Sequence, residues 1–370
     1  MGDAKPDKLK VALVCDWLTN IGGAERVLLE LHRLYPDAPI YTSQYDRKKI
    51  DWFAEADVRT LWLQRLPKSW RKFLPLVRAR AFSRLDLSDY DLVISSSGAE
   101  AKGVKTGPKT VHICYCHSPT HYYWNRYDAY MEAPGFGLLD PLARLGLRLL
   151  VAPMRRWDHQ AAQRPSYMIA NSGYTQSQIK KYYGRESKVI HPPVDLKRFK
   201  STKKLGRHGF LIAGRQTPYK RFDLAVAACS ALGLPLTVIG DGPDHKRLVK
   251  MAGPRVSFLT NVSDSEMARY FRRSEAFIFP GIDDFGIVAV EALAAGTPVI
   301  AYQDGGVLDY LKAGQNGLFF DEQSPGSLAE ALGAFPKHKF NEKAVEASVQ
   351  SFSKPNFARK IRRLINQSKA

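Results

Sequence analysis

Short apolar runs alternate with segments of helical period along almost the whole chain. Lys10 to Leu18, KVALVCDWL, predicts a buried strand, and Ala24 to Leu34 predicts a helix. DLVISSS from Asp91, VHICYC from Val111 and YMIANS from Tyr167 predict further strands, the last followed by a helix through Ile179. The pattern then restarts. FLIAG from Phe210 reads as a strand, Asp223 to Leu232 as a helix, and LTVIG from Leu236 as a strand. VSFL, EAFIFP and TPVIAY follow, separated by helical segments. Strands that alternate with helices predict parallel sheets with helical crossovers, and two such series predict two doubly wound α/β domains. Between them, residues 190–207 are rich in proline and lysine and lack apolar period, which predicts a linker. Phe357, Ile361 and Leu364 recur at helical spacing near the end, so a last helix is expected, able to pack back on the first domain. The expected division is 1–190, 191–352 and a terminal helix at 353–370.

The 370-residue length suits two domains, and 45% apolar with 25% charged residues is the balance of a globular chain. A formal charge of +19 predicts attraction to anions such as phosphate esters, acidic lipid or nucleic acid. Two stretches mix cations with apolar and aromatic residues. Arg59 to Arg84 carries Trp62, Trp70, Phe73 and Phe82; the segment from Phe136 to Trp157 carries Arg144, Arg148, Arg155 and Arg156. Such stretches suit an anionic bilayer surface, or pack their apolar face inside a domain. The apolar run Val11–Cys15 is too short for a signal peptide core, and no uninterrupted run of about 18 apolar residues occurs. The four cysteines sit in strand-like or helical apolar segments without zinc-ligand spacing, so reduced buried thiols and a cytosolic setting are expected.

Several residues stand where chemistry is expected. Gly22 and Gly23 precede a helix, where backbone N–H groups and the helix dipole favour a phosphate; a plain turn has the same look. His117 directly follows a strand, at the end where ligands of open α/β sheets bind. His121 lies near it, and Tyr122, Tyr123 and Trp124 either floor an acceptor site or pack. Arg215 and Lys220 flank the loop after FLIAG, and two cations there suit a diphosphate leaving group; Arg221 is free to point elsewhere. Gly240, Asp241 and Gly242 form a turn able to approach a nucleotide base, or an ordinary turn. Asp283 and Asp284 lie in a loop before a helix, and Glu291 lies two turns into its otherwise apolar sequence. A buried carboxylate needs a partner, and either a ribose diol or a structural cation would serve. Asp89-Tyr90-Asp91 has the form of a metal-binding Asp-x-Asp but reads as a turn into the next strand.

Taken together, VCDWLTNIGGAERVL, YDLVISSS, HICYCHSPTHYYW, KKYYGRESKVIHPPVD, GRQTPYKRFDLA, VIGDGP and DFGIVAVEALAAGTPVIAY resemble the retaining glycosyltransferases of family 4 over nearly the whole chain. The resemblance is narrower to bacterial mannosyltransferases of O-antigen and exopolysaccharide synthesis. It implies a GT-B fold, two Rossmann-like domains facing each other across a cleft, with the donor held mainly by the second. It implies that Gly22 and Gly23 lie near the diphosphate, that His117 reaches the transferred sugar, and that Arg215 and Lys220 hold the diphosphate. Asp283 is expected on sugar hydroxyls and Glu291 on the ribose. Gly214, Asp241, Gly242, Asp284, Phe285, Gly286 and Ile287 complete the expected nucleotide-sugar contacts. The implied reaction is hexosyl transfer, with mannose from GDP-mannose, to a lipid-linked saccharide at the inner face of the plasma membrane, without metal or other cofactor. A UDP-sugar donor is the alternative within the family; a non-catalytic scaffold or a basic nucleic-acid-binding protein is the alternative outside it, although no nucleic-acid motif occurs. The family pattern is Glu-x7-Glu, and here Asp283 stands where the first glutamate is expected, setting its carboxylate roughly 1.3–1.5 Å back.

Overall fold

The computed structural model describes residues 9–67, 74–132, 134, 137–199 and 206–368. Trp70 and Phe73 of the first basic segment, Phe136 of the second and residues 200–205 of the expected linker lie outside these. The chain divides into two compact units. One holds the residues up to Pro193 together with those from Phe357 onward; the other is Val194–Asn356.

In the first unit β1 (Val11–Cys15), β2 (Ile40–Thr42), β3 (Val58–Thr60), β4 (Leu92–Ser97), β5 (Val111–Cys116), β6 (Tyr167–Ala170) and β7 (Lys188–Val189) form one parallel sheet in the order β3-β2-β1-β4-β5-β6-β7. Its register pairs Leu13 with both Ile40 and Ile94. Helices α1 (Gly23–Leu34), α2 (Pro75–Arg84), α3 (Tyr127–Glu132), α4 (Asp140–Ala162) and α5 (Gly173–Tyr183) connect the strands. Side chains alternate across a strand, so β1 feeds two cores. Val11, Leu13 and Cys15 join one, Ala12 and Val14 the other. Burial on both faces explains why the run is apolar without a break. Local sequence sets the ends of α5: the Ser172 hydroxyl accepts from Thr175 N–H at 2.9 Å, and Gly184 closes it at φ 64°.

The second unit repeats the plan with β8 (Phe210–Ala213), β9 (Leu236–Ile239), β10 (Val256–Leu259), β11 (Ala276–Phe279), β12 (Val299–Tyr302) and β13 (Gly317–Phe320), all parallel, in the order β10-β9-β8-β11-β12-β13. Helices α6 (Phe222–Ala231), α7 (His245–Met251), α8 (Asp264–Arg273), α9 (Ile287–Ala294), α10 (Pro325–Ala334) and α11 (Glu342–Ala347) cover it. Leu211, Phe277 and Val299 face one core, while Phe210, Ile212, Ile278 and Ile300 face the other. Residues 194–199, expected as linker, are part of this unit. Val194, Leu196 and Phe199 are buried in its core, and Val194 N–H donates to Phe352 O. A lysine-rich neighbourhood masked three anchoring apolar residues.

The terminal helix α12 (Lys354–Gln367) places Phe357, Ile361, Leu364 and Ile365 in the first unit's core beside Leu13, Tyr115 and Ile190. Each such side chain contributes about 1.5–3 kcal/mol when fully buried, which holds the helix on that unit.

Candidate active site

In an open parallel sheet, ligands bind at the carboxyl ends of strands where the strand order reverses. In the second unit the reversal falls between β8 and β11. The loop leaving β8 carries Gly214, Arg215 and Lys220; the loop leaving β11 carries Asp283 and Asp284. These two loops meet: Lys220 Nζ lies 2.6 Å from Asp283 Oδ2, both side chains largely buried. Gly281 makes this possible, since a Cβ there would stand 2.8 Å from Lys220 Cα and 2.9 Å from its carbonyl oxygen. A third loop supports the second. Gly306 N–H donates to Asp283 O at 2.9 Å, and a Cβ on Gly306 would stand 2.2 Å from Asp284 O. Arg215 is exposed, whereas Arg221, at φ 54°, turns its guanidinium to Asp223 at 3.2 Å.

Gly286 enters α9 at φ 81°, and its carbonyl accepts from the Tyr310 hydroxyl. The Phe285 side chain lies in the core against Tyr310 and Phe352, so only its backbone faces the loop side. Ile287 begins the helix and is half-buried. One turn on, Glu291 is buried, with Arg198 Nη2 at 3.6 Å from its Oε1. The turn after β9 is held to the β8 loop by Gln216, which no sequence signal marked. Fully buried, Gln216 donates to Gly240 O at 2.7 Å and meets His245 Nδ1 at 2.7 Å. Cβ atoms at Gly240 and Gly242 would strike Gly214 O and Gln216 O at 2.1 and 2.2 Å. Backbone packing alone therefore accounts for these two glycines. Asp241 is exposed, and its carboxylate accepts from Gly242 N–H.

In the first unit the strand order reverses between β1 and β4. Gly22 caps α1 and Gly23 opens it, with Glu25 in the first turn. His117 follows β5; its Nε2 lies 2.8 Å from Ser96 Oγ, its ring packs on Tyr115, and its carbonyl accepts from Asn171 Nδ2. His121 Nδ1 instead pairs with Asn125 Oδ1 at 2.9 Å.

The strand ends of this unit also hold a buried charged cluster that sequence reading missed. Asp16 accepts from the N–H groups of Gly98, Ala99 and Ala101, and burial with the nearby Glu100 raises its pKa. Glu100 accepts from Arg78 at 2.9 and 3.0 Å and from the Tyr122 hydroxyl at 2.8 Å. Lys102 Nζ lies 2.6 Å from Asp158 Oδ1, while Trp124 Nε1 and the Tyr183 hydroxyl donate to Asp158 Oδ2. Burial is the largest influence and opposes the Lys102 charge, but Asp158, with smaller contributions from Cys116 and Asp16, leaves the pKa raised. Tyr122, Tyr123 and Trp124 thus belong to packing and to this network. The position of Asp16 just past an apolar strand was a usable signal. Lys102 and Asp158 are 56 positions apart and carried none.

The basic aromatic segments fare differently. In the first, Phe82 is core and Arg78 is buried on Glu100, whereas Arg80 and Arg84 of α2 are exposed. In the second, Arg144 and Arg155 fold back onto carbonyl oxygens of Met131, Glu132 and Tyr123. Leu142, Leu145 and Leu149 remain 66%, 53% and 68% exposed along one face of α4, preceded by Leu139, with Arg148 and Arg156 exposed beside them. A continuous apolar stripe of this kind marks an interaction surface more than a scattered leucine would. Among the described residues, no helix is long and apolar enough to cross a membrane, and no group of three or more His, Cys, Asp or Glu could hold a metal ion. Asp91 of the Asp-x-Asp sequence accepts from Lys10 N–H at the amino end of β4, far along the strand from its ligand-binding end.

Two family models match the chain. The one described as Glycosyltransferase Family 4 covers residues 21–198, and the one described as Glycosyl transferases group 1 covers residues 194–350. Together they take in most of the chain, each by itself under half, and they support a glycosyltransferase of family 4. The D-inositol 3-phosphate glycosyltransferase of Nocardioides sp. is 29% identical over 215 residues, 47% of this chain and 47% of the relative. That of Streptomyces scabiei is 29% identical over 203 residues, 45% of each. The chain spans about half the length of the curated relatives it matches. Among solved structures, Anabaena Alr3699/HepE in complex with UDP and glucose aligns over 97% of this chain and 100% of its own, with TM-score 0.71 and 20% identity. Sucrose-phosphate synthase from Thermosynechococcus elongatus aligns over 97% and 99%, with TM-score 0.73 and 18% identity. At such identities the likeness establishes the fold, paired Rossmann-like domains of the GT-B type.

Proposed function

We propose that this chain transfers a hexosyl group from a nucleoside diphosphate sugar to a saccharide acceptor, with retention of anomeric configuration and without a divalent metal. The observation that carries the reading is the Lys220–Asp283 pair at the strand-order reversal of the second sheet. A cation there suits the diphosphate, and a carboxylate in contact with it suits the hydroxyls of the sugar that the diphosphate carries. As the bond between the anomeric carbon and the phosphate oxygen breaks, negative charge grows on the phosphate. Lys220, with Arg215 close in sequence, stabilises that charge more in the transition state than in the ground state. The acceptor oxygen forms its bond to the anomeric carbon on the same face, and its proton passes to the departing phosphate. Glu291, buried in an apolar helix, takes the ribose diol. On the first unit, His117 addresses the sugar and the Gly22–Gly23 turn the phosphates.

The donor we favour is GDP-mannose and the acceptor a lipid-linked saccharide, on the resemblance to O-antigen and exopolysaccharide mannosyltransferases. A UDP-sugar is the second reading, supported by the fold's likeness to Anabaena HepE, solved with UDP-glucose. The exposed leucines of α4 and the +19 charge support peripheral attachment to an anionic cytoplasmic membrane face. Purified protein given GDP-mannose or UDP-glucose and a lipid-linked acceptor mixture tests the assignment through released nucleotide. GDP release that survives EDTA is the expected result. Release from neither donor would remove the transferase reading, and complete loss in EDTA restored by magnesium would remove the metal-free one.

A further inference from the structure

Arg198 stands at the junction of three elements of the second unit. It lies within the short 3-10 turn Leu196–Phe199, which packs against α8 and α9. Its Nη1 donates to Asp264 Oδ2 at 2.6 Å, and its Nη2 lies 3.6 Å from Glu291 Oε1. The guanidinium sits over the Phe199 ring at 4.7 Å, and Phe199 is fully buried. Asp264 is the first residue of α8, whose entry is closed by the reciprocal Ser263–Glu266 capping box. The guanidinium plane is therefore fixed by an aromatic floor and by an acid on a well-capped helix.

Apart from Glu291, the side chains of its helix, IVAVEALA, are alanine, valine, isoleucine and leucine. Its side chain is 8% exposed, against 72% for Asp264. A separation of 3.6 Å is an ion pair and too long for a good hydrogen bond. Arg198 thus orients and neutralises the carboxylate while leaving it acceptor capacity for ligand hydroxyls. An arginine suits this task, because its planar fork addresses two acids at once and stacks on a ring.

We infer that Arg198 is a positioning residue for Glu291, aiming the carboxylate at the ribose diol and so setting a preference for ribonucleotides over 2′-deoxyribonucleotides. The inference rests on the ribose role proposed above for Glu291. A purely structural ion pair would help the unit fold and would weaken both nucleotide types alike when lost. Positioning affects only the ligand that carries the second hydroxyl.

The test is calorimetric titration of the full chain with UDP, GDP and their 2′-deoxy forms. Arg198→Met keeps the stem over Phe199 and removes the fork. It is expected to narrow the ribo-over-deoxy preference by about tenfold, the scale of one hydrogen bond to a charged group. Arg198→Lys restores part of the preference and serves if the methionine variant folds poorly. Glu291→Gln narrows it as far, and the double variant goes no further. Equal losses for ribo and deoxy forms in the Arg198 variants, or none, beside a narrowed preference in Glu291→Gln, would overturn the positioning role alone. A preference untouched by Glu291→Gln would remove the ribose reading and this inference with it.

Discussion

Lys220 and Asp283 form an ion pair of 2.6 Å between two loops that leave adjacent parallel strands, β8 and β11. The contact is short because neither loop has room to retreat. Gly281 lets its backbone touch that of Lys220, and Gly305 and Gly306 lie against the carbonyls of Asp283 and Asp284. The aspartate that departs from the family's glutamate is thus already engaged with the cation expected to meet the diphosphate. A bound donor would share Lys220 with Asp283, and the aspartate would hold the ammonium in place without a longer side chain.

Lys220→Ala should lower kcat by about 10²- to 10³-fold, the usual loss on removing one preorganised electrostatic contact to a developing charge. Asp283→Ala should raise the donor KM and lower kcat. Because the residues touch, a double-mutant cycle on kcat/KM should give a coupling of about 0.5–3 kcal/mol. Additive effects in steady-state assays would mean that the pair does not act as a unit. Asp283→Glu tests the scaffold alternative: wild-type protein is expected to turn over, so activity found only in the glutamate variant would favour a chain that had lost catalysis.

The buried Lys102–Asp158 pair predicts a stability effect remote from chemistry. Asp158→Ala takes the counter-ion from the buried Lys102 ammonium, which keeps only neutral oxygen partners on Ala99 and Thr120, and removes the acceptor of the Thr120, Trp124 and Tyr183 side chains. The expected cost is about 3–5 kcal/mol, read as a lowered denaturant midpoint. A shift no larger than that of a surface substitution would contradict the described network.

His112 gives the chain a pH-dependent weakness. It is fully buried on β5, with Nε2 at 2.9 Å from Ser95 Oγ. Burial, with Arg164 and Arg185 nearby, pushes its pKa from 6.5 down to about 3. The folded pKa is the lower one. From pH 6.5 downward, therefore, the unfolded chain binds a proton that the folded chain refuses until about pH 3. Stability should fall through that window by an amount on the order of a few kcal/mol. Asp16 works against this: its raised pKa means that acid relieves its cost of burial. Thermal unfolding across pH 7 to 4 should be less pH-sensitive in His112→Asn. An unchanged slope would assign the acid lability elsewhere.

The leucine face of α4 predicts vesicle binding. Leu142→Asp with Leu149→Asp should abolish flotation with phosphatidylglycerol vesicles at low salt and leave the unfolding midpoint unchanged, since both side chains are solvent-exposed. Wild-type binding should weaken as salt screens the basic residues. Equal flotation of wild type and variant would place any membrane contact off this helix.

Much of the plan was readable from periodicity alone. The uninterrupted apolar runs at β1, β8 and β11 announced strands buried on both faces, and their regular return after helical segments announced two parallel sheets. Local chemistry also marked the loops of the proposed site, because Lys220 and Asp283 stand just past apolar strands. Gly240 and Gly242 were ambiguous in sequence, because a close backbone crossing and a ligand loop call for the same residue; the structure shows the crossing.

Residues 194–199 looked like linker because lysine and proline surround the few apolar positions that anchor them. Sequence determined which residues form strands and helices, since that choice depends on side-chain period and on neighbours a few positions away. Only the tertiary structure decided that Lys220 would meet Asp283, Arg198 would face Glu291 and Lys102 would bury itself on Asp158. Those pairings follow from the order in which strands lie side by side and from the glycines that let loops touch, and neither leaves a periodic trace along the chain.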